Sequence, residues 1–320
     1  MPIAPQDGAD RKLSPLVAKI LLVILFVIWS NSFTAIKHLR QILPPMELVL
    51  ARFLPVSIYC LLYLLLSPER RRESAEIVRN AWPKLLGLGI FGVVGYNYFL
   101  YVGQSEIKPG AAALLTTLAP IFTLLLAIPL LRERVPLRRT IGILIAFAGL
   151  YIVIAWGRVG LGRMTGISNA DIRYALITAL APLSWSIYTI IGKDLVKRYS
   201  AVTVTYLSLV IGTLPLLFAW SGHFVATVSS MGSTYWIALV YLSLFCTIIG
   251  FWIWITGLKV LPATSVASFV YLNPPFAALF GWMLFGEEIT AMFLVGSAVV
   301  LAGLYLAQRP ERIPEQSKNR

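Results

Sequence analysis

The stretch Ala119-Pro120-Ile121-Phe122, with Leu130-Leu131-Arg132-Glu133-Arg134 close behind it, occurs twice in this chain in altered form. Its second version reads Asn273-Pro274-Pro275-Phe276 and then Leu284-Phe285-Gly286-Glu287-Glu288. The offset is 154 residues for Pro120 and Pro274, Phe122 and Phe276, Leu130 and Leu284, and Glu133 and Glu287. It holds further on, where Gly142 meets Gly296 and Gly149-Leu150-Tyr151 meets Gly303-Leu304-Tyr305. Upstream, Trp29-Ser30 and Trp185-Ser186 lie 156 apart, each tryptophan followed eight residues later by a lysine, Lys37 or Lys193. One small insertion therefore separates two halves that otherwise keep register. Chance supplies any single match but not the ordered set, which indicates an internal duplication.

The surroundings of the repeat are apolar. Of 320 residues, 58% are hydrophobic and 13% charged, against roughly 25% charged in an ordinary soluble domain. So few charges cannot cover a soluble surface of this size, so the solvent is largely lipid. Apolar windows between charges give ten candidate spans: 16–36, 46–66, 84–104, 109–131, 137–156, 172–192, 201–220, 234–257, 262–285 and 290–307. At about 20 residues each, spans account for most of the chain. The connections are short except 67–83 and the Gly-rich 157–171. Large extramembrane domains, a secreted disulfide scaffold and a soluble metal or nucleotide enzyme are excluded. The fold class is an all-α membrane protein of ten transmembrane helices in two five-helix repeats. An odd number of spans per repeat inserts the second half upside down, which makes it an inverted-topology repeat.

Charge sets the direction. The net charge is +13, but the basic residues sit in short loops rather than on one element, so nucleic acid is not the partner. With the N-terminus inside, Lys and Arg divide 20 to 6 between inner and outer segments, leaving Arg52 within a span. Both termini are thus expected in the cytoplasm. The loops of the two copies agree: Arg132-Glu133-Arg134 falls inside, while Gly286-Glu287-Glu288 has lost both arginines and falls outside. Arg11, Lys12 and Lys19 precede an apolar run that lacks an A-x-A site, which reads as a retained helix. The expected organisation is a cytoplasmic tail (1–15), a first repeat (16–156), an outer linker (157–171), a second repeat (172–308) and a second cytoplasmic tail (309–320). Cys60 and Cys246 lie in apolar segments without CxxC spacing, and His38 and His223 lie near helix ends. No metal site or cofactor is expected.

These residues also carry a resemblance. Trp29-Ser30-Asn31-Ser32-Phe33 with Lys37, Ala51-Arg52-Phe53, and Leu115-x-x-Leu118-x-Pro120 leading to Leu130-Leu131-Arg132-Glu133-Arg134 form one pattern. Its copy ends in Phe285-Gly286-Glu287-Glu288. The order and doubled layout resemble the EamA-type ten-helix permeases of the drug/metabolite transporter superfamily, over about residues 15–308. Ser30 departs from the glycine that many members have. The resemblance implies transport of small metabolites, often export of amino acids or related compounds, across the cytoplasmic membrane.

In hydrocarbon a polar side chain is costly, so its position is informative. Span one places Trp29, Ser30 and Asn31 slightly outward of mid-membrane. Span three offers Tyr96, Asn97, Tyr98, Tyr101 and Gln104, span four Thr116, Thr117 and Pro120, and span nine Tyr271, Asn273 and Pro274. In span six Thr178, Pro182, Trp185, Ser186 and Thr189 share one helical face. Trp29, Ser30, Asn31, Tyr96, Asn97, Tyr98, Thr116, Thr117, Pro120, Trp185, Ser186, Tyr271, Asn273 and Pro274 are the candidate substrate pathway. For the hydroxyl residues the competing role is bonding between helices. Arg52 and Lys37 are charged candidates. Arg52 either snorkels outward, pairs with Glu47 or Glu106, or meets an anion.

Pro120, Pro274 and Pro275 stand near mid-depth. As helix-interior prolines they would free the carbonyls of Thr116, Val270 and Tyr271, and the breaks would meet beside Asn273 and Thr117. Gly142, Ala146 and Gly149, with Gly296 and Gly303, form small faces that make spans five and ten packing elements. No Asp or Glu lies mid-span, which argues for neutral or zwitterionic solutes over cations. No paired acids, Ser–His pair or ligand cluster lies at mid-depth, so an intramembrane enzyme is not expected. The partners expected are the bilayer and a small-molecule substrate, and a homodimer is compatible. Competing readings are an exporter of aromatic, drug-like or lipid-linked solutes, and a channel or sensor.

Overall fold

A computed structural model describes residues 13–103, 115–156, 169–273, 275–276, 279–280, 283 and 291–308. Among them every regular element is helical and no strand occurs. Helix α1 (Pro15–Ser30) opens on a cap, the Val17 amide donating to Ser14 Oγ at 3.2 Å, with Pro15 in the first turn where its missing N–H costs nothing. It stops at Asn31, and the short α2 (Ser32–Leu39) follows. Ser30 and Ser32 donate back to the carbonyls of Val27 and Trp29, at 2.9 and 2.6 Å, a habit that bends helices. The first span is therefore two pieces, not the single helix expected over 16–36.

Helix α3 (Pro45–Leu66) is long and apolar. Helix α4 (Pro68–Leu88) corrects the sequence reading, because 67–83 is helix rather than loop. Ser67 caps it, and Ala81 (φ −140°, ψ 21°) kinks it two residues before Pro83. A π-helical stretch, Gly89–Gly95, joins it to α5 (Tyr96–Gly103). Helix α6 (Ala119–Leu131) follows a turn at Thr117 and Leu118, then come α7 (Leu137–Trp156) and α8 (Asn169–Leu195). Here Pro120 lies in the first turn of α6, so it opens a helix rather than interrupting one. The expectation of a mid-helix proline that frees the Thr116 carbonyl is corrected accordingly. The same expectation for Pro274 lies outside the described residues.

Helix α9 (Ala201–Thr213) runs into a 3₁₀ turn, Leu214–Ala219, and α10 (Gly222–Ser230) fills what was expected to be a bare connection. Helix α11 (Ser233–Val240) passes through a second π-helical stretch, Tyr241–Ile249, into α12 (Gly250–Val260). Helix α13 (Ala263–Ser268) ends in a 3₁₀ turn, Phe269–Leu272, and α14 (Ala291–Gln308) closes the described chain.

Five of these helices are long and apolar enough to cross a membrane: Pro45–Leu66, Pro68–Gly103, Leu176–Leu195, Ala201–Ala219 and Ser233–Val260. Shorter apolar helices cover Pro15–Ser30, Ala119–Leu131, Ala263–Leu272 and Leu294–Gln308. The first two are short because the chain breaks at Asn31 and before Ala119. Large apolar side chains such as Leu66, Phe218 and Ile237 stand on the outside, as expected where lipid replaces water.

Packing joins the two halves of the chain throughout. Helix α1 lies on α12 as α5 lies on α8, and α6 touches α8 as the turn after α13 touches α1. Helices α3 and α9, α6 and α13, and α7 and α14 complete the pairs. The last pair is the tightest: a Cβ added at Gly142 would stand 2.6 Å from the Ala307 nitrogen, so only glycine lets these backbones meet. The expected small faces are in use.

Polar contacts gather at two opposite ends of α3. Near Pro45, Glu47 accepts from Ser221 Oγ at 2.8 Å and pairs with His223 Nδ1 at 2.9 Å. Beyond Leu66, Glu73 binds the Ser200 amide at 2.6 Å, and Lys84 meets Asp194 at 2.6 Å. At the same end Glu133 accepts from the Ala263 amide at 2.7 Å and from Thr264 Oγ1 at 3.2 Å. Lys193 donates to the carbonyls of Leu258 and Leu261, at 2.6 and 2.8 Å, closing the C-terminal turn of α12.

Candidate functional site

A cleft of about 720 Å³, mouth included, opens between the halves. Helix α1 contributes Phe26 and Trp29, and α2, beyond the break, Ser32 and Ile36. Arg52 enters from α3; Tyr96, Asn97, Leu100 and Tyr101 from α5; Thr116 from just before the turn that leads into α6, and Ala119 from the start of α6. Trp185 (α8), Phe251 (α12), Val270 and Asn273 complete the wall.

The aromatic side of the cleft is built around the two repeat-related tryptophans. Their rings meet edge-on at 5.4 Å, and both contact Trp254, at 5.8 and 5.3 Å. Trp185 further touches Tyr96 at 5.1 Å, Tyr188 at 4.9 Å and Phe251 at 5.3 Å. Trp29 Nε1 donates to the Cys246 carbonyl at 2.9 Å. That carbonyl belongs to the π-helical stretch, where the looser hydrogen-bond ladder leaves acceptors for side chains. Trp254 is held from behind by Thr189, its Nε1 donating to Oγ1 at 3.2 Å. Gly250 makes room for Trp29, since a Cβ there would stand 2.6 Å from its Nε1.

Among the described residues the polar side holds one charge. Arg52 is 7% exposed, and its Nε donates to Thr247 Oγ1 at 2.7 Å. Its guanidinium lies 5.1 Å from the Phe53 ring centre. Ser243 Oγ donates to the Arg52 carbonyl at 2.9 Å, so the π-helical stretch grips this residue twice. Asn97 donates to the Val93 carbonyl at 2.7 Å. The expected pairing of Arg52 with Glu47 does not occur, because Glu47 is engaged by Ser221 and His223. Outward snorkelling does not occur either, since the side chain is buried. Glu106 lies outside the described residues.

Of the residues singled out by sequence, Trp29, Arg52, Tyr96, Asn97, Thr116, Trp185 and Asn273 meet in this cleft. Others do not. Ser30 turns to its own helix, and Asn31 forms the break between α1 and α2 without lining the cleft. Tyr98 is 42% exposed on the outside, against Phe99. Thr117 is buried away from the lining, as is Pro120. Ser186 donates to the carbonyls of Ala119 and Pro182, at 2.9 and 2.8 Å, and accepts from Thr123 Oγ1 at 3.1 Å. It fastens α6 to α8, the bonding role rather than the pathway one. Tyr271 packs with Ile143, Ala146, Val300 and Ala307, between α7 and α14. Pro274 and the side chain of Lys37 lie outside the described residues.

The lining also includes Tyr101, which span three offers beside Asn97, and residues that the sequence did not single out. Tyr101 follows Asn97 by one helical turn, so helical spacing prefers it to Tyr98. Phe26, Ile36, Leu100, Phe251 and Val270 carry no polar signal at all.

The cleft thus combines an aromatic box with a guanidinium and two amides. Among the described residues no group of three His, Cys, Asp or Glu is placed to hold a metal ion. The fold and cleft define a membrane transporter. The chain belongs to the EamA-like transporter family, whose pattern matches residues 16–155 and again 172–308. It is 29% identical to an uncharacterized transporter of Archaeoglobus fulgidus, over 91% of this chain and 98% of that protein. It is also 29% identical to a probable terminal-alkyne amino-acid exporter of Streptantibioticus cattleyicolor, over 90% of this chain and 92% of that protein. A probable amino-acid metabolite efflux pump of Salmonella typhimurium is 26% identical, over 89% and 93%. One solved crystal structure superposes with a TM-score of 0.72 at 20% identity, covering 92% of this chain and 97% of its own, a likeness of fold.

Proposed function

We propose that the protein is a carrier of the cell's inner membrane that exports amino acids or related zwitterionic and neutral compounds by alternating access between two inverted five-helix halves. The observation that carries this reading is the cleft itself. Its tryptophans, Trp29 and Trp185, come from matching positions of the two halves, and its walls belong to both. The symmetric exchange of packing partners supports the inverted repeat: α1 on α12 answers α5 on α8, and α3–α9 and α7–α14 map onto themselves. The two π-helical stretches, Gly89–Gly95 and Tyr241–Ile249, also stand at matching places.

With both termini cytoplasmic, the end bearing Glu73, Lys84 and Glu133 is the inner one. Bonds between the halves close it, and the cleft lies toward the outer end, as in an outward-facing carrier. The amino-acid exporters among the relatives favour that solute class. The aromatic box also suits the second reading, an aromatic or drug-like solute.

Counterflow of radiolabelled amino acids in liposomes loaded with the unlabelled compound tests the proposal, guided by cells overexpressing the protein and challenged with toxic analogues. Saturable counterflow is expected. Non-saturable flux would make the protein a channel, and flux confined to drug-like solutes would favour the second reading.

A further inference from the structure

We infer that Arg52 is the anchor for a carboxylate on the transported solute, an assignment that rests on the carrier reading and narrows its substrate class. A buried guanidinium in a membrane-spanning helix is costly unless an anion answers it. Among the described residues no carboxylate lies within 4.0 Å of Arg52, and its partners, Thr247 and the Phe53 ring, are neutral. Of the five donors of a guanidinium, Nε makes the one short hydrogen bond to a described residue, and the Tyr101 hydroxyl stands in weaker contact with the group. The terminal edge, the one that suits a carboxylate in a two-pronged bond, belongs to a side chain lining the cleft.

The edge is also held in place beforehand. Thr247 Oγ1 donates to the Leu242 carbonyl at 2.8 Å, which leaves its lone pair for Arg52 Nε, while Ser243 fixes the Arg52 backbone. Two further cleft residues carry buried polar atoms with bonding capacity to spare: Asn273 Oδ1, which has no hydrogen-bond partner, and the Tyr101 hydroxyl, whose one contact is the weak one with Arg52. The Tyr101 hydroxyl, within electrostatic reach of Arg52, is a second donor for the carboxylate. Asn273 Oδ1 is an acceptor, fit for an ammonium group. Among the described residues no acidic side chain lines the cleft, so an amine without a carboxylate finds no counter-charge among them. The recognised solute is thus an amino acid or monocarboxylate with an apolar or aromatic body, which the tryptophans cover.

The test uses the full chain and four probes: phenylalanine, 3-phenylpropanoate, phenylalaninamide and phenethylamine. Binding is read in detergent by tryptophan fluorescence, since Trp29 and Trp185 line the cleft, and transport by competition in phenylalanine counterflow. The two carboxylates should bind about 10- to 100-fold more tightly than the amide and the amine, the value of a charge-assisted contact. Arg52→Gln should erase that preference, and Arg52→Lys should keep part of it. Tyr101→Phe, which removes only a hydroxyl, should weaken carboxylates selectively and serves if Arg52→Gln does not fold. Equal binding of carboxylate and amide by the unaltered protein, or an intact preference in folded Arg52→Gln, overturns the assignment while counterflow can still uphold the carrier. Carboxylate-selective binding without counterflow upholds Arg52 and sinks the carrier. Neither binding nor counterflow for any of the four probes overturns both.

Discussion

Ser186 shows how a side chain's role depends on what it meets. Its position one residue after Trp185, on the polar face of α8, suggested a place on the solute's path. Its hydroxyl instead lies among the carbonyls of Ala119 and Pro182 and the hydroxyl of Thr123. Ser186→Ala should therefore act on stability, lowering it by about 0.6–1.7 kcal/mol, the range of hydrogen bonds between membrane helices. The affinity for solute should stay close to that of the unaltered protein. Thermal unfolding in detergent with a counterflow KM separates the two effects, and a large KM change at unchanged stability would return Ser186 to the pathway. Asn97 and Tyr98 make the complementary point. They are neighbours in sequence, but a helix turns about 100° per residue, so one lines the cleft and the other faces outward.

At the scale of elements, helix ends carry the contacts that a moving carrier must break. Glu133 lies in the connection after α6, and its carboxylate takes the Ala263 amide and Thr264 hydroxyl at the start of α13. That joins the two halves at the end opposite the cleft's mouth in the proposed orientation. A carboxylate there also meets the positive end of the helix, which strengthens the bond beyond that of a neutral acceptor. Glu133→Gln should loosen this end, raising deuterium uptake by the amides of 261–268 several-fold at unchanged fold. Unaltered uptake would mean that the contact contributes nothing to closure. The breaks at Asn31 and before Ala119 belong to the same scale. Serines bonding back to carbonyls make the first, and a proline in an opening turn marks the second.

For the whole molecule the testable property is direction. A reporter active only outside the cytoplasm should be active when fused after Gly222 and silent after Arg72 or Arg198. The opposite pattern in either half would remove the inverted repeat and, with it, the proposed alternation. The 20 to 6 division of Lys and Arg gives the reason for that expectation. The structure adds that Arg70, Glu73 and Ser200 meet at one end while Glu47 and His223 meet at the other. Gly222 therefore stands with the second group and Arg72 and Arg198 with the first.

By itself the sequence determined the solvent, the helical class and the doubling. Those properties are written in composition, charge and the 154-residue offset, none of which depends on what packs against what. It also picked out Trp29 and Trp185, because a duplicated tryptophan beside a serine stands out against an aliphatic background. The tertiary structure decided which faces became the cleft. Leu100, Phe251 and Val270 line it, while Leu66 and Phe218 face outward, and nothing in their chemistry tells the two groups apart. A soluble helix shows its buried side by being apolar there and polar elsewhere. In lipid both sides are apolar, so hydropathy reports depth but not direction, and only the packing of one half against the other assigns an apolar side chain to solute or to lipid.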